Sequence, residues 1–160
     1  MAVLRPDRLI AWLLLAVVCP GAGAQERADL PIQLKASSLD FDSQNGVVEY
    51  GAVTITQGGI RITADRAVTT GVDFDDSRWQ FSGTVRITTP ESEIASDTAE
   101  VRFAGGEIQS ASVAGGPATF EQKRNEDLAQ GRARRIDYDL MRGTVELAGD
   151  AWLSDGKTEI

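Results

Sequence analysis

The 160-residue chain has no histidine and one cysteine, Cys19. Without histidine there is no Ser-His-Asp or Cys-His catalysis, and the usual zinc sites are gone as well. A lone cysteine builds no disulfide framework within the chain. Basic residues are scarce, with 16 Lys plus Arg against 24 Asp plus Glu and a net charge of −8. Such a surface repels nucleic acid, which is bound through basic patches. No glycine-rich phosphate loop is present, and no apolar run reaches the roughly 20 residues of a membrane-spanning helix.

The N-terminus carries its own signal. Arg5 and Arg8 are followed by an apolar run of 11 residues from Leu9 to Cys19, then by Ala22-Gly23-Ala24. A basic start, a short apolar stretch and a small-x-small site read as a cleaved secretory signal peptide over residues 1–24. Val18 precedes Cys19 where a lipid-anchored cysteine wants a small residue, so a lipoprotein is disfavoured. The expected mature chain, residues 25–160, has no cysteine and carries 14 Lys plus Arg against 23 Asp plus Glu. It has the size of one domain.

A repeat organises that domain. Gly51, Gly83, Gly116 and Gly149 are spaced by 32, 33 and 33 residues, and four residues beyond each stand Ile55, Ile87, Phe120 and Leu153. The local period is two. Trp79, Phe81, Val85 and Ile87 alternate with polar neighbours, which marks half-buried strands rather than helical repeats. Asn45-Gly46 is a tight-turn signal, and a glycine inside a returning strand marks a bulge or bend. The polar segment 121–130 reads as a hairpin loop. Alternation also predicts that Arg134 and Arg135 face opposite ways. The expected fold is all-β, a stack of antiparallel hairpins with one apolar face. That face includes Trp79, Phe81, Phe103, Phe120, Ile136, Tyr138, Val145 and Leu147. It must fold over on itself or cover a second sheet, as a curved jellyroll or short barrel does.

Candidate chemistry is sparse. Asp40 and Asp42, like Asp137 and Asp139, pair on one strand face, opposite Leu39-Phe41 and Ile136-Tyr138. Paired carboxylates serve glycosidases, but an outward repeated pair reads as a solvated surface. Asp73, Asp75 and Asp76 lack the spacing of a calcium loop and read as an acidic turn. Lys123, Arg124, Arg132, Arg134 and Arg135 form the one dense basic cluster. Arginine grips phosphate through paired donors, although a charge-balanced hairpin surface accounts for the same residues. Alternation by itself favours a closed core with no ligand, that is, a secreted structural or adhesive β-repeat module.

Three stretches change that balance. They are Leu30-Pro31-Ile32 through Leu39-Asp40 to Val47-Val48; Val53-Thr54-Ile55-Thr56-Gln57-Gly58 with Ile60-Arg61-Ile62-Thr63-Ala64-Asp65-Arg66; and Gly116-Pro117-Ala118-Thr119-Phe120 with 131–139 and 143–153. In order and spacing the chain resembles the LptA/OstA family of lipopolysaccharide transport proteins. The resemblance implies an open, twisted β-jellyroll in the periplasm of a Gram-negative cell, active in outer membrane biogenesis. It implies a non-enzymatic lipid carrier without cofactor or metal, whose lumen shields lipopolysaccharide acyl chains. It further implies edge-strand pairing, near Ile32–Lys35, with related jellyroll proteins of the inner- and outer-membrane complexes, and head-to-tail self-association. The lumen residues so expected are Ile32, Leu34, Leu39, Phe41, Val48, Tyr50, Val53, Ile55, Ile62, Phe81, Val85, Ile87, Phe120, Ile136, Tyr138, Leu140, Val145, Leu147 and Leu153. Lys123, Arg124, Arg132 and Arg134 are the expected headgroup contacts. The chain departs from the family pattern in having one residue fewer between Tyr50 and Val53. It also stops at Lys157-Thr158-Glu159-Ile160, where the family continues, and residues 72–112 read as an extra repeat. An LptC-like or LptD-like unit is the related alternative.

Overall fold

The structure, a computed structural model, describes residues 30–124 and 127–155; the expected signal peptide and residues 156–160 lie outside it. Ten antiparallel strands follow in chain order: β1 Gln33–Lys35, β2 Ser38–Asp42, β3 Val47–Gln57, β4 Ile60–Thr70, β5 Asp76–Thr88, β6 Ser92–Ala104, β7 Glu107–Arg124, β8 Asp127–Asp139, β9 Thr144–Ala148 and β10 Trp152–Ser154. The six long strands pair each with the next from β3 to β8. At one edge β1 and β2 share β3, and at the other β9 and β10 share β8.

That sharing shows how the sheet is folded. β2 pairs with residues 47–51 of β3, whereas β1 pairs with residues 54–56. Likewise β9 pairs with 135–139 of β8, and β10 with 130–132. Each long strand thus contributes one half to a first wall, with β2 and β9, and its other half to a second, with β1 and β10. The two walls face each other over a single apolar core that runs from Val48 to Leu140.

The crease between the walls is where the repeated glycines sit. Ala52 and Thr84 have positive φ of 44° and 46°, Gly83 has 73°, Gly149 and Asp150 have 77° and 51°, and Gly116-Pro117 is a cis peptide. The ladder slips between Thr63 and Arg66, between Ser82 and Val85, between Ala95 and Thr98, and between Ala114 and Ala118. Extra residues bend a strand and re-aim its side chains. The expectation of a bend at the strand glycines therefore holds.

The crease corrects one expectation. Ala133 and Ile136 are both buried, so Arg134 and Arg135 between them both face outward. Strict alternation forbids this, and the turn of β8 from one wall to the other, where its partner strands carry the extra residues, permits it. Arg134 hydrogen-bonds Asp150, and Arg135 hydrogen-bonds Asp137 at 2.9 Å. A second correction concerns residues 121–130. Most of them are strand, with β7 and β8 paired out to Arg124 and Asp127. Polar side chains on the solvent face, and at a rim where the inner face reaches water, do not interrupt a backbone ladder.

Candidate functional site

The two walls enclose a trough whose contents differ from the middle to the ends. In the middle it is filled by its own side chains. Ile55, Ile62, Trp79, Phe103 and Ile136 have no exposed surface. An aromatic stack fills the first wall's side. Trp79 lies between Tyr50, with ring centroids 5.2 Å apart, and Phe74, at 5.0 Å; Phe103 meets both Phe74 and Trp79 edge-on. The indole N–H of Trp79 donates to Ser77 Oγ at 3.1 Å, so this ring is buried with its polar atom satisfied. Burial pushes the Tyr50 hydroxyl above its ordinary range. Of the expected lumen residues, Val48, Tyr50, Val53, Ile55, Ile62, Phe81, Val85, Ile87, Phe120, Ile136 and Leu140 are buried in this core.

At the two edges the inner face reaches solvent. Residues directly opposite in an antiparallel pair share a face. Leu39 pairs with Tyr50 and Phe41 with Val48, so both belong to the inner face, yet they are 58% and 61% exposed. Leu34 pairs with Ile55 and is half-buried, as is Ile32. A cavity of about 330 Å³ opens here, lined by Leu34, Ala36, Ser37, Ser38, Leu39 and Tyr50. The opposite edge mirrors it. Val145 pairs with Tyr138 and Leu147 with Ile136; Tyr138, Val145 and Leu147 are half-buried against the core. Leu153, opposite Gly131, is exposed. The expected lumen residues therefore fall into a filled centre and two apolar mouths, one at each edge of the sheet.

The basic cluster does not converge on one point. Arg132 lies over the Trp152 ring, 5.3 Å from its centroid. Arg134 is held by Asp150, and Lys123 is exposed; the side chain of Arg124 lies outside the described atoms. The paired carboxylates are equally dispersed. Asp40 is exposed on β2. Asp137 lines a groove of about 380 Å³ on the outer face of the first wall, with Arg78, Glu100 and Arg102 among its neighbours. Partial burial pushes the Asp137 carboxyl up, but hydrogen bonds from Arg135 and Ser112 and the Arg135 charge outweigh it and hold the group below its ordinary value. A glycosidase acid needs the reverse shift. Among the described residues no cluster suits a metal ion.

Phe74 and Gln57 escape sequence reasoning. Phe74 stands in the acidic turn between Asp73 and Asp75, where no alternation reaches it. Gln57 continues the inward phase of Val53 and Ile55 as a buried polar residue, and that mismatch is the one signal it offers.

Comparison with known proteins agrees with this architecture. A family model described as "LptA/(LptD N-terminal domain) LPS transport protein" matches residues 67–160. The "Lipopolysaccharide export system protein LptA" of Escherichia coli K12 is 29% identical over 154 residues, covering 95% of this chain and 67% of that protein; the Shigella flexneri protein matches to the same extent. Among solved structures, LptH, the LptA homologous periplasmic component of the lipopolysaccharide transport device of Pseudomonas aeruginosa, superposes with a TM-score of 0.60 at 18% identity. That match covers 77% of this chain and 85% of the other.

Proposed function

Because the chain belongs to the family of LptA and LptD N-terminal domain lipopolysaccharide transport proteins, we propose that it carries lipopolysaccharide through the periplasm, with acyl chains lying against the inner face of the trough. One observation carries the reading. The inner apolar face is continuous from Leu39 and Phe41 at one edge, through the buried core, to Val145 and Leu147 at the other. Apolar surface left exposed at both mouths is what a passing hydrocarbon chain would cover. Each buried CH₂ gains about 0.8 kcal/mol, so a fourteen-carbon chain gains on the order of 10 kcal/mol gross. No single polar residue is needed, and the role is transport rather than catalysis.

In this reading residues 1–24 direct export and are removed, leaving 25–160 as one jellyroll domain. The edges at β1–β2 and β9–β10 accept strands of related jellyroll proteins or of a second copy. Lys123, Arg124, Arg132 and Arg134 are the proposed contacts for headgroup phosphates. The rival reading, a structural or adhesive module with a closed core, takes support from the filled centre of the trough. A photocrosslinker at Tyr138 or Phe41, with one at outward-facing Thr63 as control, separates the two. Transport requires lipopolysaccharide adducts at the first two positions and none at the third. An absence of adducts at every position, with no rise in melting temperature on adding lipopolysaccharide, would leave the closed module as the function.

A further inference from the structure

The crease closes one long side of the trough; the opposite side is a rim where the hairpin turns of the two walls meet. Gln57, at the end of β3 in the second wall, spans that rim. Its Nε2 donates to Gly106 O at 2.7 Å and to Leu30 O at 3.1 Å, and its Oε1 accepts from Ile108 N at 3.2 Å. Gly106 and Ile108 belong to the β6–β7 hairpin of the first wall, 49 and 51 residues away in sequence. The same turn holds the segment that carries Phe74. Gly105 N donates to Asp75 O at 2.6 Å and Gly106 N to Phe74 O at 3.2 Å, which seats the Phe74 ring on Trp79 and Phe103.

We propose that Gln57 is a latch: it fastens the two rims together over the Phe74–Trp79–Phe103 stack, and it must release before an acyl chain can replace that stack in the trough. The proposal rests on the transport reading above. Three features support it. The interior is too well filled to hold a hydrocarbon chain without rearrangement, since Trp79 and Phe103 are wholly buried. The side chain that crosses the rim is polar and 7% exposed, in a strand phase otherwise given to Val53 and Ile55. Two of its three bonds, to Gly106 O and from Ile108 N, go to main-chain atoms of the first wall, which a splaying of the walls would separate; the third, to Leu30 O just before β1, stays on its own side. A hydrogen-bonded clasp can re-form after each passage, because the net worth of each bond is small.

The test compares the association rate of purified lipopolysaccharide with the full chain and with Gln57→Leu. In parallel, amide exchange at Ile108 is followed with and without lipopolysaccharide. A latch predicts association faster by about tenfold in the variant, as the clasp no longer holds the closed form. It also predicts that Ile108 loses protection on lipid binding while the ladder amides of β6 keep theirs. If the wild-type chain binds lipopolysaccharide, but the variant binds no faster and Ile108 stays protected with lipid present, the latch is wrong and the transport reading stands. If neither chain binds, both fall. Should Gln57→Leu fail to fold, the exchange of Ile108 in the wild-type chain decides.

Discussion

Asp65 accepts a hydrogen bond from Thr84 Oγ1 at 3.1 Å across the crease, beside Gly83, whose missing side chain leaves room for the carboxylate. Variations on this contact recur along the crease. Ser37 Oγ donates to Gly51 O at 3.0 Å, Asp97 Oδ2 accepts from Gly116 N at 3.1 Å, and Arg134 packs on Gly149 while binding Asp150. In each case a polar side chain from one segment meets a glycine, or the residue beside it, in the neighbouring segment. The 33-residue repeat is therefore the repeat of a fold line, and its products are the two facing walls.

Gly83→Ala should weaken the domain for two separable reasons. A side chain at φ +73° is strained by roughly 1–2 kcal/mol. Its Cβ would also come within 2.5 Å of Asp65 Oδ2. Urea unfolding should show the loss, and the double variant with Asp65→Ala should recover only the carboxylate's share of the clash, since the Cβ of residue 65 stays 2.9 Å away. Full recovery in the double variant would mean that backbone strain at the crease is negligible.

The centre and the mouths should respond oppositely to truncation. Trp79→Ala removes a wholly buried ring from the aromatic stack and should cost about 3–5 kcal/mol. Leu39→Ser and Phe41→Ser alter exposed positions and should change stability by only about 0.5 kcal/mol. The same two changes should weaken lipopolysaccharide binding severalfold, as measured by shift of the melting temperature. Intact binding in the Leu39→Ser, Phe41→Ser double variant would remove this mouth from the lipid path.

Asp137 gives a pH signature. Its carboxyl is held below the ordinary value of 3.8 in the folded chain. A depressed value in the folded state means that the ionised form is favoured by folding. The stability it contributes is therefore fully present above the unfolded value, and it is lost as pH falls through the lowered one. Asp137→Asn should be less stable than wild type at neutral pH, and the gap should close below about pH 4. Because the group is partly solvent-exposed and ion-paired with Arg135, salt should shrink the gap as well. A gap independent of pH would assign the effect to packing instead.

Much of the fold is readable from single residues, and the failures have physical causes. The alternation of Trp79, Phe81, Val85 and Ile87 correctly assigns all four to the inner face, because the four positions from Phe81 to Val85 across the crease keep even parity. Parity fails in β8, where three positions separate the buried Ala133 from the buried Ile136, so Arg134 and Arg135 share the outer face that strict alternation divides between them. Parity tells which face a residue is on, but not whether a neighbour covers it. Leu39 and Phe41 look like Val48 and Tyr50 in sequence, yet β2 has strand neighbours on one side only. The mouths of the trough follow from that position at the edge. Gln57 is a product of tertiary contact across 49 residues, so no local pattern announces its partners.

The same edge position sets the final prediction. β1 pairs with β3 on one side, and its other side offers backbone N–H and C=O groups to a further strand. It is only three residues long, and Pro31 lies just before it, so a partner strand would find its register from Ile32 and Leu34 rather than from a long ladder. Inward side chains at that junction would then extend the apolar face from one molecule into the next, which is the geometry a continuous lipid path demands. A photocrosslinker at Ile32 should capture a second jellyroll domain, either a related transport protein in cells or another copy of this chain when purified and concentrated. In sedimentation the purified chain should shift to larger species with concentration. Leu34→Pro, which puts a rigid ring at the centre of the edge strand, should abolish both effects while leaving the core from β3 to β8 folded. If Ile32 captures nothing while the Tyr138 position still captures lipopolysaccharide, the chain would carry lipid without joining a bridge through this edge.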